Sequence, residues 1–144
     1  MPSDRVANAP FTWVIDQDLR ILVIDDDPIM REFACVYLST PNVSVETAEN
    51  GEAGLARLAA EHFDLALIDI DMPGINGYEV LRRIRADEKL FDLPAVIVTS
   101  NEDFSSIDKA YELGATSFIT KPVNWRVLSY HLRFVMRAVH RMAA

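Results

Sequence analysis

Short apolar runs and longer amphipathic segments alternate along the chain from residue 20 onward. Runs of this length that are rich in valine and isoleucine are typical of buried strands. They lie at 20–24, 43–48, 64–70, 94–100 and 116–122. The intervening segments carry apolar residues three and four positions apart, which predicts helices at about 28–39, 50–61, 76–87, 103–112 and 124–141.

This alternation predicts the α/β class, with a doubly wound five-stranded parallel sheet and helices on both of its faces. Right-handed crossovers between parallel strands restrict the topology further. In such sheets ligands bind beyond the carboxyl ends of the strands. Candidate chemistry is therefore expected where each apolar run ends.

Composition and charge narrow the class of protein. A length of 144 residues suits one domain, and a formal net charge of −8 argues against a nucleic-acid surface. The single cysteine, Cys35, excludes an internal disulfide and a cysteine-based zinc cluster. No run approaches the ~20 apolar residues of a membrane span, and the first residues lack the pattern of a signal peptide. We therefore expect a cytoplasmic protein without a membrane partner.

The chain divides into two predicted segments, a leader and a domain, and the domain ends in a helix that could extend it. Residues 1–19 form a leader with weak periodicity, in which the apolar patch 11–15 could pack on the domain or on a partner. Residues 20–141 form the domain. Residues 135–144 are a possible extension of the last helix.

Polar side chains follow four of the five predicted strands. Because the carboxyl ends of parallel strands open at one edge of the sheet, we expect these groups to converge in one pocket. They are Asp25, Asp26 and Asp27 after the first run, Asp69 and Asp71 at the third, Thr99 and Ser100 at the fourth, and Lys121 at the fifth.

The residue types in this pocket predict a metal and a phosphoryl group. Converging carboxylates repel one another unless a cation joins them, and an all-oxygen set favours Mg²⁺ or Mn²⁺. Lys121 offers a point charge and Thr99 a hydroxyl for phosphoryl oxygens. A carboxylate such as Asp69 can itself be the nucleophile and form an aspartyl phosphate.

Each group also has a structural interpretation. The run Asp25–Asp27 could simply cap the following helix. Asp69 could be a solvated carboxylate, Thr99 part of a loop, and Lys121 a surface lysine. The joint placement of all these groups at one edge of the sheet favours the site.

Four motifs in order resemble the receiver domain of two-component response regulators. They are IDDDP at 24–28, LIDIDMPGINGYE at 67–79, VIVTS at 96–100 and ITKP at 119–122. The resemblance spans about residues 20–141. It implies a flavodoxin-like (βα)₅ fold with strand order 2-1-3-4-5.

The resemblance also implies a role for each matching residue. Asp25 and Asp26 would hold Mg²⁺, or Mn²⁺ as its substitute, together with Asp69 and the backbone carbonyl of Asp71. Asp69 would be the phosphoacceptor and Lys121 its cationic partner. The switch pair would be Thr99 and the aromatic Phe118, where a tyrosine often stands. Asp27 is expected to face away from the metal, and the Lys121–Pro122 bond to be cis.

By the same resemblance the chain is a signalling switch. It would take a phosphoryl group from a histidine kinase or phosphotransfer protein and control an output domain or effector through the face of helix 4, strand 5 and helix 5. It would catalyse only its own phosphorylation and dephosphorylation. Residues 124–138 resemble the joint to GGDEF or EAL output domains, so the partner could be related to cyclic-di-GMP and the chain a fragment.

The last predicted helix carries a seam with heptad-like spacing. Its members are Trp125, Leu128, Leu132, Val135, Val139 and Met142. From Trp125 to Leu132 we interpret the seam as the core face. Beyond Val135 we expect the core to run out, which leaves open a signalling helix or a homodimer.

Three other functions are compatible with parts of the pattern. An aspartyl hydrolase or phosphotransferase would need a cap insert, for which the loops are too short. A pseudo-receiver would lack the acidic pair, Asp69 or Lys121, and all are present. A flavodoxin-like cofactor binder would need a Gly-rich or hydroxyl-rich loop after the first strand, and no such loop follows it.

Overall fold

The structure is a computed structural model that describes residues 17–143. The strands are β1 (Leu19–Ile24), β2 (Val43–Ala48), β3 (Leu65–Ile68), β4 (Ala95–Thr99) and β5 (Ser117–Thr120). The helices are α1 (Pro28–Leu38), α2 (Gly51–Ala60), α3 (Gly77–Ala86), α4 (Phe104–Glu112) and α5 (Trp125–Ala143). The apolar patch predicted at 11–15 lies outside the described residues, and β1 includes residue 19 of the predicted leader.

The five strands form one parallel sheet in the order β2-β1-β3-β4-β5, which confirms the predicted fold class and strand order. In the register, Ile24 at the end of β1 lies opposite both Ala48 of β2 and Ile68 of β3. The strands therefore end at nearly the same level, so the residues that follow β1 and β3 meet at one edge.

Alternating side chains of the sheet build two cores. On one face Ile21, Val23, Leu65 and Leu67 pack with α1 and α5. On the other face Leu22, Ile24, Ala66 and Ile68 pack with α2, α3 and α4. The strands β1, β3 and β4 are buried on both faces, which explains why their sequences are continuous apolar runs.

Side-chain oxygens at the N-caps fix where the five helices begin. The caps are Asp27 for α1, Asn50 for α2, Asn76 for α3, Asp103 for α4 and Asn124 for α5, and each accepts a hydrogen bond from a backbone N–H of the first turn. Gly114 follows α4 with a φ of 99°, a conformation that favours glycine and ends the helix.

The seam on α5 extends the core further than predicted. Val135 and Met136 are only 5% and 3% exposed, and Val139 packs against the same cluster. The expectation that the core runs out beyond Val135 was therefore wrong for Met136 and Val139. The reason is that the apolar face of the sheet continues to Leu19 and Leu65, at the N-terminal ends of their strands.

A different set of α5 side chains is exposed. Val127, Tyr130 and Phe134 are 60%, 50% and 69% exposed. Their spacing of three and four residues places them on one side of the helix. Among residues 17–143, none of the helices combines the length and apolar character that crossing a bilayer requires.

Candidate functional site

Three carboxylates meet where β1 and β3 end. One oxygen each from Asp25, Asp26 and Asp69 lie within 4.8 Å of one another. Backbone hydrogen bonds align the two strand ends, because Asp69 N donates to Ile24 O at 2.9 Å and Asp25 N donates to Ala48 O at 3.1 Å. The sheet therefore brings together three of the four residues that the sequence predicted as metal ligands.

Lys121, from the end of β5, lies beside this cluster. Its Nζ is 2.9 Å from Asp25 Oδ2 and 3.7 Å from Asp69 Oδ1. Burial alone would lower the pKa of Lys121, but the hydrogen bond and charge of Asp25 outweigh burial and raise it. The lysine therefore stays an ammonium ion beside the carboxylates.

Asp69 is buried, at 6% exposure, and carries an unusual pKa. Burial and the negative charge of Asp25 raise the pKa of Asp69 to about 6, although the charge of Lys121 acts in the opposite direction. The carboxyl group thus lies in a site that disfavours its charge until a cation joins it. Such a carboxylate is a candidate functional group.

The backbone around Asp25 is held from two sides. Asp27 N donates to Asp25 Oδ1 at 2.9 Å, and Arg31 Nη1 donates to Asp25 O at 2.8 Å. The carboxylate of Asp27 accepts from Ile29 N at 2.9 Å, so this third acid caps α1. The capping interpretation therefore applies to Asp27, while Asp25 and Asp26 face the cluster.

Gly77 lies against the backbone of the predicted phosphoacceptor. Its N–H donates to Ile70 O at 2.8 Å, and a Cβ at this position would be 2.2 Å from Asp69 O. Any larger residue would displace the backbone of Asp69. The glycine of the motif at 67–79 therefore lets α3 begin directly behind the site.

The predicted switch residues lie on β4 and β5. Thr99 is fully buried at the end of β4, and its hydroxyl oxygen accepts from Asn101 N at 3.3 Å. Phe118 is half-buried and packs on the core face that includes α4. The Lys121–Pro122 bond is cis, as the resemblance implied.

Two contacts near the site were not predicted from the sequence. Asn101 Nδ2 donates to the exposed carboxylate of Asp71 at 2.8 Å, which joins the loops after β3 and β4. The hydroxyl of Tyr78 donates to Ser106 O at 3.1 Å, which joins α3 to α4. These partners are 30 and 28 residues apart along the chain, so local sequence patterns carry no signal for them.

The donor set fits a hard divalent cation. All three grouped ligands are carboxylate oxygens, which Mg²⁺ and Mn²⁺ prefer over nitrogen and sulfur. Lys121 balances one of the three negative charges, so a divalent ion would balance the remainder. The carboxylate of Asp71 is engaged by Asn101 and is not part of this group of three.

A five-stranded parallel sheet with an acidic cluster and a lysine at its carboxyl edge defines a CheY-like class of domain, and comparisons with solved structures support this class. A CheY-like response regulator receiver domain from Methanospirillum hungatei JF-1 superimposes with a TM-score of 0.80, at 28% identity, over 86% of this chain and 98% of that one. CheY4 of Vibrio cholerae gives a TM-score of 0.77, at 26% identity, over 81% and 98%.

The sequence model described as "Response regulator receiver domain" matches residues 21–133. The chain belongs to this family. Among curated proteins, the heme response regulator HssR of Staphylococcus aureus (strain JH9) is 29% identical over 119 residues, which are 83% of this chain and 52% of HssR. The chain thus spans about half the length of the curated relatives it matches.

Membership gives the chain its general role. Receiver domains are signalling switches of two-component systems rather than enzymes for external substrates, and their acidic pocket binds Mg²⁺. Response regulators interact with histidine kinases and with output domains.

Proposed function

We propose that Asp69 accepts a phosphoryl group from the phosphohistidine of a histidine kinase or phosphotransfer protein. The observation that carries this proposal is the position of Asp69, buried between Asp25, Asp26 and the ammonium group of Lys121. Nucleophile, metal-ligand candidates and counter-charge are all present in one pocket. Phosphoryl transfer requires mainly such positioning and charge neutralisation.

The transfer balances without an added reactant. A carboxylate oxygen of Asp69 forms the new P–O bond while the P–N bond of phosphohistidine breaks and leaves its electron pair on the imidazole. Lys121 can approach a phosphoryl oxygen by loosening its contact with Asp25, since its Nζ already lies 3.7 Å from Asp69 Oδ1. Mg²⁺ or Mn²⁺ on Asp25, Asp26, Asp69 and the Asp71 carbonyl would supply further charge neutralisation.

The modified Asp69 would then change the surface of α4, β5 and α5. Thr99 lies at the end of β4, where its hydroxyl can turn toward the phosphoryl group, and Phe118 would move into the space that Thr99 vacates. The result is a two-state population shift. Attack of water on the acyl phosphate releases inorganic phosphate and resets the switch.

The phosphodonor would dock beside the mouth of the pocket. Ile29, Phe33 and Val36 of α1 are 60%, 45% and 63% exposed. A groove that Ile29 and Phe33 share with Trp125 reaches Asp27 and Lys121. A donor must bring its phosphohistidine to this mouth. An apolar helix face on the donor would cover the exposed side chains of α1 while doing so.

A second copy of the chain would pack on the face of α4 and α5. The exposed Val127, Tyr130 and Phe134 lie on α5 with Arg137, whereas Asp108 and Glu112 lie on α4. A two-fold axis between the helices would place acids of one copy opposite arginines of the other. The same face could instead bind an output domain or an effector, including one related to cyclic-di-GMP.

Intact mass after incubation with acetyl phosphate and Mg²⁺ tests the proposal. We expect a gain of one phosphoryl group in the wild-type chain and in Asp108→Asn, which changes an exposed aspartate on α4. We expect no gain in Asp69→Ala or with metal removed by a chelator. A folded wild-type chain that gains no mass would contradict the proposed function.

Sedimentation of the phosphorylated chain tests the second copy. If the phosphorylated chain dimerises and Phe134→Ala weakens the dimer, the result supports packing of a second copy on the face of α4 and α5. A phosphorylated chain that stays monomeric at high concentration would contradict the dimer and favour an output domain or effector as the partner of that face.

A further inference from the structure

Helix α4 is weakly attached to the rest of the domain. Of its nine residues only Ala110 is fully buried, and Phe104 at its start is 85% exposed. An element with so few buried apolar contacts depends strongly on individual hydrogen bonds. The position of α4 therefore depends on the contacts that hold its first turn.

Tyr78 of α3 holds that first turn. Its hydroxyl donates to the carbonyl oxygen of Ser106 at 3.1 Å, and the ammonium group of Lys109 lies 4.5 Å from the centre of the tyrosine ring. One side chain thus contacts α4 on two successive turns, through a hydrogen bond and a cation–π interaction.

Tyr78 is also fixed to the backbone of the phosphoacceptor. It follows Gly77, whose N–H donates to Ile70 O at 2.8 Å and whose Cα lies against Asp69 O. The position of the tyrosine is therefore set by the segment that carries Asp69. Closer to the site, a hydrogen bond from Asn101 to Asp71 joins the loop that leads into α4 to the loop that follows β3.

We propose that Tyr78 is a positioning residue that restrains α4, and with it the segment from Thr99 to Asn101, in the conformation of the unphosphorylated domain. In this proposal the bond between Tyr78 and Ser106 lengthens when Thr99 turns toward a phosphoryl group on Asp69 and α4 follows. Tyr78 thereby sets how readily the modified site changes the output face. This inference rests on the proposed function, because it requires a phosphoryl group on Asp69.

The substitution Tyr78→Phe removes the hydroxyl and keeps the ring beneath Lys109. A net hydrogen bond of typical strength corresponds to a factor of about 2–10 in an equilibrium constant. If the bond is present only in the unphosphorylated conformation, Tyr78→Phe should bind the phosphoryl analogue beryllofluoride about 2- to 10-fold more tightly in the presence of Mg²⁺. Its affinity for Mg²⁺ alone should be unchanged, because the metal ligands are untouched.

Tyr111→Phe is the matched control, since it makes the same chemical change on α4 at a side chain that is 48% exposed. Hydrogen exchange of the unmodified protein provides a second measurement. Amides of residues 104–112 should exchange faster in Tyr78→Phe than in the wild type or in Tyr111→Phe. This measurement needs no phosphoryl group and detects the restraint itself.

The outcomes separate the inference from the proposed function. Unchanged exchange in α4, or faster exchange with unchanged beryllofluoride affinity, would overturn the role of Tyr78 while the wild-type chain still binds the analogue. Weaker binding by Tyr78→Phe would also overturn it. A folded wild-type chain that binds no beryllofluoride would instead contradict the proposed function, and the inference would fail with it.

Discussion

The ammonium group of Lys121 lies 2.9 Å from Asp25 Oδ2 and farther, at 3.7 Å, from Asp69 Oδ1. The lysine is therefore paired with a candidate metal ligand more closely than with the predicted phosphoacceptor. The pairing lowers the repulsion among the three carboxylates before any divalent cation arrives. A divalent cation that binds Asp25 must therefore come close to the positive charge of Lys121, which repels it.

Lys121→Met should have opposite effects on the metal-free protein and on metal binding. Loss of the ammonium group leaves three neighbouring carboxylates uncompensated, so the free energy of unfolding without metal should fall by about 1–3 kcal/mol. Mg²⁺ should bind more tightly, because a competing cation is gone. Titration calorimetry and urea unfolding measure the two effects, with the exposed Lys89→Met as control. Weaker Mg²⁺ binding by Lys121→Met would contradict this account of the pocket.

Asp69→Asn should stabilise the metal-free protein at neutral pH. Burial and Asp25 raise the pKa of Asp69 to about 6, above the 3.8 of a free side chain. Between these values the folded state binds more protons than the unfolded state, so the stabilising contribution present at low pH is lost as the pH rises through 6. At pH 7 the substitution should therefore raise the free energy of unfolding by about 1–3 kcal/mol.

Urea unfolding at pH 4.5 and 7.5, with and without Mg²⁺, measures this effect. The advantage of Asp69→Asn over the wild type should be larger at pH 7.5 and should shrink when Mg²⁺ is added, because the ion favours the charged carboxylate. If the advantage of Asp69→Asn is larger at pH 4.5, burial does not raise the pKa of Asp69.

The sequence predicted the sheet and the pocket because both depend on local patterns. The apolar runs that form β1, β3 and β4 are buried on both faces, and the polar residues that follow them lie at strand ends by necessity. Long-range polar contacts are different. The guanidinium group of Arg85 donates to backbone oxygens of Leu93 and Gly114, and nothing in the pattern around Arg85 distinguishes it from the exposed Arg82 or Arg83.

Arg85→Met should cost much more stability than Arg83→Met. Arg85 donates to Leu93 O at 2.6 Å, to Gly114 O at 2.8 Å and to Phe91 O at 3.0 Å, and it thereby joins the end of α3 to the segments before β4 and β5. Removing a donor from two partly buried carbonyls and one exposed carbonyl should lower the free energy of unfolding by about 2–4 kcal/mol.

Arg83 makes an exposed ion pair with Glu79, so Arg83→Met should cost no more than about 0.5 kcal/mol. Chemical denaturation of both variants compares the two losses directly. Equal losses would mean that the contacts of Arg85 with the backbone contribute little.

His131 of α5 should make stability depend on pH in the direction opposite to Asp69. Burial lowers the pKa of His131 below its ordinary value of 6.5, and its Nε2 is hydrogen-bonded to the buried Ser117 Oγ. As the pH falls through 6.5, the unfolded chain takes up a proton before the folded chain does, so the free energy of unfolding falls. His131→Gln keeps a polar side chain and removes the titration.

The comparison is made in the Asp69→Asn background, so that the opposing titration of Asp69 does not obscure it. Between pH 7.5 and 5.0, the free energy of unfolding should fall less steeply in His131→Gln than in its parent. If His131→Gln and the parent lose stability in parallel, the folded domain accepts a proton on His131 as readily as the unfolded chain, and burial of this ring against Ser117 does not make the stability of the domain sensitive to pH.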